Sequence, residues 1–118
     1  MFEFLKSKTR EAHRLNRDAV AIIAADRRNH DAKRLQKIAQ QTEMYLEQAQ
    51  ERAKNDPDAD YRNLAYLKTE HKENRRYPNQ INLSAVTLAI IYLRAKKLGD
   101  ACQPALDAIE DFLKQQIA

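Results

Sequence analysis

The stretch Leu67–Gln80, LKTEHKENRRYPNQ, places Lys68, His71, Lys72, Arg75, Arg76 and Tyr77 within ten positions. Such residues could hold an acidic protein partner. They could also track phosphates, with the tyrosine ring free to stack on a base. A second cationic set lies near the N-terminus. At 100° per residue, Lys6, Arg10, Arg14, Arg17 and Arg28 fall within about 40° of a common line along one helix face. Catalytic chemistry has less to work with. The metal-binding types His13, His30, His71 and Cys102 are scattered, with no two of them three or four residues apart. Glu70 and His71 are adjacent, which on a helix points them about 100° apart. A single glycine leaves no room for a phosphate-cradling loop or a dinucleotide fingerprint. No enzyme activity, metal or cofactor is expected.

The elements that must carry these residues are helical. One glycine and three prolines in 118 residues are too few for hairpin turns and bulges, and Ala, Leu, Gln, Glu, Lys and Arg dominate. In the first segment Ala12, Leu15, Ala19, Ile22 and Ile23 form an apolar stripe opposite the arginines, with Phe2, Phe4 and Leu5 expected to pin its start. The joint RRNH leads to a second helix, Asp31 to Lys54, with Leu35, Ile38, Ala39, Thr42, Tyr45, Leu46 and Ala49 inward. NDPD opens a third, with Asp56 as cap and Pro57 in its first turn, running to Arg76 before Pro78. On it Tyr61, Leu64 and Ala65 share a face that Lys68, Lys72 and Arg75 continue, while Tyr66 points elsewhere.

A fourth helix, Leu83 to Leu98, is apolar nearly all round and so belongs at the centre, with Gly99 as its left-handed cap. The fifth starts near Asp100 or Gln103, with Leu106, Ile109, Leu113 and Ile117 as its inner face, widened by Phe112. Short joints favour antiparallel neighbours. The expected fold is all-α, a single-domain (1–118) antiparallel array of about five helices around a central apolar fourth helix.

Charge is uneven. The net is +4, yet residues 100–118 hold one Lys against four Asp/Glu, while residues 79–99 hold three Lys/Arg and no acid. This is mild polarity, short of the clustered excess of a dedicated nucleic-acid binder. Leu83–Ala95, the most apolar run, is too short to span a bilayer. The N-terminus lacks an apolar signal core, and one cysteine suits a reducing compartment, so a cytoplasmic location without membrane contact is expected.

Two families bear comparison. Helical ribonucleases of the HEPN type have four to six residues between an arginine and a histidine; here eight residues separate Arg62 from His71, so that pattern is not met. Ala85–Leu113 resembles one tetratricopeptide-type helix pair. Leu88, Ala89 and Tyr92 stand at the small and large positions of its first helix, and Leu98, Ala101, Ala105 and Ala108 at those of its second. Lys96 stands where that family has glycine, the turn glycine falls three residues late, and no second copy follows at a 34-residue offset. The resemblance implies a peptide- or protein-binding role.

The leading expectation is a non-enzymatic helical module that binds another protein. Its candidate contacts are Lys68, Lys72, Arg75, Arg76, Tyr77 and Tyr66. The alternative is a nucleic-acid-associated protein using Arg10, Arg14 and Arg17 together with the Lys68–Tyr77 stretch. An ordinary helix end, its cations facing Asp107, Glu110 and Asp111, would also explain that stretch. Homodimerisation through the second helix, beside Met44 and Tyr45, is compatible with both readings.

Overall fold

The computed structural model describes the backbone of residues 2–56, 62, 64–69 and 80–117, and side chains over 8–56, 62, 64–69 and 82–117. Among these residues the chain is all-helical: α1 (Phe2–Asn29), α2 (Ala32–Ala53), a helical stretch α3 (64–69), α4 (Gln80–Leu98), a 3-10 turn (Asp100–Cys102) and α5 (Gln103–Ile117).

Helix ends follow local chemistry. α1 runs through Arg27 and Arg28 to Asn29, so the joint is only His30–Asp31, shorter than the RRNH expected. Asp31 then caps α2, its carboxylate accepting the N–H of Arg34 at 2.9 Å. α4 begins at Gln80, three residues earlier than expected. It closes with Gly99 N–H donating to Ala95 O at 3.0 Å. Gly99 has the positive φ foreseen, 84°, but a ψ of −144° takes it out of the left-handed helical well into a region open essentially to glycine alone.

Cross-helix hydrogen bonds fix the directions. Asn16 reaches Ala101 and Ala105, and Arg27 Nη2 donates to Gln115 Oε1 at 2.7 Å, so α1 and α5 run parallel. Glu11 meets Arg94 while Asp26 meets Ser84, so α1 and α4 run antiparallel. α4 and α5 form an antiparallel hairpin tied by Tyr92 and Glu110. At about 1.5 Å per residue, the 28 residues of α1 account for most of the molecule's 46 Å long axis.

The central position expected of Gln80–Leu98 is observed: α4 packs on α1, α2 and α5. It shares the centre with α5, which packs on α1 and α2 as well as on α4. One expectation is corrected. α1 and α2, despite their two-residue joint, barely touch each other and instead flank the α4–α5 pair. Apolar burial decides this, because α4 is apolar on nearly every side and offers both amphipathic helices more surface than they offer each other. The core is a single cluster containing Leu15, Ile38, Leu64, Leu88, Ile109 and Phe112. A second correction concerns α5. Its buried face is Ala105, Leu106, Ile109 and Phe112, while Leu113 and Ile117 are half-buried and pack against the core from the side.

Candidate functional site: a basic ridge and an acidic groove

α1 divides its charges between two faces. On the outer face Arg10, Arg14, Arg17 and Arg28 are all exposed along one line, spanning about 27 Å from Arg10 to Arg28 at 1.5 Å per residue. The side chain of Lys6 lies outside the described residues. Arg17 Nε meets Asp18 Oδ1 at 3.4 Å on the exposed surface, a contact of small energetic weight.

The inner face is an apolar stripe, Ala12, Leu15, Ala19 and Ile23, flanked by a few polar side chains that are paired with other helices. Arg94 Nε and Nη2 donate to Glu11 Oε1 at 3.0 and 2.5 Å, with both side chains about three-quarters covered. Asn16 uses both ends of its amide: Nδ2 donates to Ala101 O and Oδ1 accepts the N–H of Ala105, each at 2.9 Å. That second bond satisfies an N–H in the first turn of α5, which its own helix cannot.

Near the far end of α1, Asp26 is buried, 6% exposed, and its Oδ1 accepts from Ser84 Oγ at 3.2 Å with His30 Nε2 at 3.9 Å. Burial raises the Asp26 carboxyl above its usual range, against the opposing pull of the Ser84 hydrogen bond and the His30 charge. Serine, histidine and aspartate invite comparison with a nucleophilic triad, but here the carboxylate sits between the other two. The Ser84 proton is committed to Asp26, and His30 is not in position as its base. This cluster joins α1 to α4. Among the described residues no three His, Cys, Asp or Glu side chains converge as a metal site. His13 is exposed, while Cys102 is buried and its thiol is pushed up by burial and by the Glu11 charge.

Of the Leu67–Gln80 stretch, the structure describes the side chains of Leu67, Lys68 and Thr69, together with Leu64 and Tyr66 just before it. Leu64 is buried, Tyr66 is 66% exposed on the other side of its helix, and Lys68 is half-buried. Lys72, Arg75, Arg76 and Tyr77 lie outside the described residues, as do His71 and the facing of this stretch toward α5.

The feature that sequence reasoning missed is a groove of about 510 Å³ between α2 and α5, lined by Glu43, Glu110, Asp111, Leu113, Lys114 and Ile117. Leu113 and Ile117 form its apolar floor, and three carboxylates against one ammonium form its rim. Glu110 is held in place because Tyr92 Oη donates to its Oε1 at 2.9 Å. Burial first, and then this bond and the Glu110 charge, push the Tyr92 hydroxyl up to about 12, so it remains a donor at neutral pH. Lys96 Nζ lies 5.1 Å from the centre of the same ring, braced on its face. Beside Glu43, Met44 is exposed, whereas Tyr45 is buried in the core and unavailable to a dimer contact. The signal was present in the sequence. Asp107, Glu110 and Asp111 stand at i, i+3 and i+4 beside Leu113 and Ile117 in an otherwise basic chain.

No family model, curated protein or solved structure shows a significant match to this chain. The tetratricopeptide-like stretch does form a helical hairpin, but α1 and α2 flank it on two sides, where a repeat array would stack a like hairpin against it.

Proposed function

We propose that this chain is a non-enzymatic helical module that acts by binding another protein, and that the α2–α5 groove is the binding surface. The observation that carries this reading is the concavity between α2 and α5, with an apolar floor and a charged rim. Exposed Met44, next to Glu43 in α2, adds apolar area near the groove, and Tyr66 is a further exposed aromatic on α3. A cytoplasmic location belongs to the same proposal, supported by the single buried cysteine.

The test compares the unaltered chain with Leu113→Asp as bait for affinity capture from native cells, with nuclease present. Proteins retained by the unaltered chain and lost by the variant, at unchanged helical content and melting, support the reading. An identical retained set for both baits overturns it.

A second reading is favoured by the exposure of Arg10, Arg14, Arg17 and Arg28 in one line: a polyanion, such as a nucleic acid, laid along the outer face of α1. Fluorescence anisotropy with short labelled RNA and DNA at about 50 and 200 mM salt decides it. If six phosphates are contacted, affinity falls about a thousandfold between these conditions. Absence of binding at the lower salt removes it.

A further inference from the structure

We propose that the partner segment in the α2–α5 groove is a cationic amphipathic helix of another protein. Its apolar side chains lie on Leu113 and Ile117, and its lysines or arginines face Glu43, Glu110 and Asp111. This rests on the protein-binding reading and specifies the chemistry of the partner.

Charge complementarity selects the occupant. The chain carries a net +4, so a groove lined by three carboxylates and one ammonium is a local reversal of sign. Glu43 and Asp111 are exposed, and neither forms an ion pair among the described residues. The Glu110 carboxylate is already oriented by the Tyr92 hydroxyl, so ordering it on docking costs little side-chain entropy. A polyanion is repelled at this rim, which separates the groove from anything the arginine ridge could bind.

The floor selects for a helix. Leu113 and Ile117 stand four residues apart on α5, an apolar track one turn long, about 6 Å, with Ile109 beneath it in the core. Side chains spaced three and four apart on an incoming helix match such a track, the usual register of helix-in-groove recognition. A merely basic, non-amphipathic peptide would meet the rim and leave the floor wet. The chain's own α1 matches poorly, since the apolar residues near Arg10, Arg14 and Arg17, namely Ala12 and Leu15, are buried in its own core.

The experiment uses the full chain and three fluorescein-labelled synthetic peptides of equal length. One is a leucine/lysine amphipathic helix, one has the same composition with its leucines dispersed, and one has glutamate in place of lysine. Anisotropy is read at about 50 and 200 mM salt for the unaltered chain and for Glu43→Lys/Asp111→Lys, whose exposed positions leave the core untouched. Circular dichroism melting confirms that both are folded.

The expected result is saturable binding of the leucine/lysine peptide, none of the glutamate peptide, and about tenfold or greater weakening by dispersal of the leucines or by the charge reversal. Equal binding of the dispersed peptide, or affinity unchanged in the reversed variant, overturns the proposal. So does light scattering that shows a dimer of the unaltered chain abolished by the charge reversal, because a second copy would then fill the groove. If Leu113→Asp loses its captured proteins while the charge reversal keeps them, the protein-binding reading stands and the cationic partner falls.

Discussion

The outer face of α1 and the α2–α5 groove carry charges of opposite sign, and they differ more in shape than in sign. The ridge is a convex row of arginines on the back of a helix whose inner face is fully engaged. In water each of those cations is well solvated, and a convex face offers a partner no desolvated anchor. The groove sets its charges around an apolar floor and fixes one of them through a buried tyrosine. Equal numbers of charged residues therefore have unequal capacity for recognition. α5 carries the second arrangement because α1 and α2 both pack on it and a groove is left beside its contact with α2.

The sharpest separation is between adjacent residues of α5. Phe112 is fully buried and Leu113 half-buried. Phe112→Ala is expected to cost about 3–5 kcal/mol, whereas Leu113→Ala is expected to cost about 1 kcal/mol and to act mainly on binding. Urea unfolding midpoints check this; comparable losses would place Leu113 in the core and remove the floor from the binding surface.

A smaller contrast separates the two faces of α1. Glu11→Ala leaves the three-quarters-covered guanidinium of Arg94 without its carboxylate and is expected to cost about 2 kcal/mol. Arg17→Ala on the ridge is expected to change stability by less than about 0.5 kcal/mol. Thermal melts of both variants at equal pH measure the difference, and a large Arg17 effect would make the ridge a structural feature.

Smaller still is the pH signature of Asp26. Its folded-state pKa is raised, so ionisation is disfavoured on folding and this residue's contribution to stability rises as pH falls from 7 through that raised value toward 3.8. Asp26→Asn removes that term while keeping an acceptor for Ser84. The variant is expected to be at least as stable as the unaltered chain at pH 7, with the gap shrinking in acid. A variant that is less stable at pH 7 and converges on the unaltered chain in acid would show that the Asp26 charge is favourably paired.

The smallest expected effect sits at the groove rim. Glu110→Gln removes the carboxylate charge beside Tyr92, lowering its hydroxyl pKa from about 12 while burial keeps it above the ordinary 10.0. Ultraviolet absorbance during alkaline titration follows it, and an unchanged late-titrating tyrosine would detach Glu110 from Tyr92 in solution.

Much of the architecture was legible in the residues taken one segment at a time. The stripe Ala12–Leu15–Ala19–Ile23 and its counterpart Leu35–Ile38–Thr42–Leu46 are inward-facing, Asp31 caps α2, and Gly99 takes a positive φ. These are local consequences of 3.6-residue periodicity, helix capping and glycine sterics, which act within a few residues of the chain. Other features have no local signature. Asn16 reads as an ordinary polar residue until the 3-10 turn and the start of α5 meet it 85 and 89 positions later. Glu11 reads as an interruption of a basic helix until Arg94 is beside it. Periodicity placed Leu113 and Ile117 inside α5's apolar face without showing that this edge of the face is left half-covered.

The sequence by itself determined that the described chain is helical, which faces of α1 and α2 turn inward, and that Asp31 and Gly99 bound their helices, because those properties follow from each residue and its nearest neighbours. Only the tertiary structure decided that α1 and α2 flank the α4–α5 pair and that the edge between α2 and α5 stays open as an acid-rimmed groove. The choice among packings is made by how much apolar surface distant helices bury against one another, a quantity that no single segment contains.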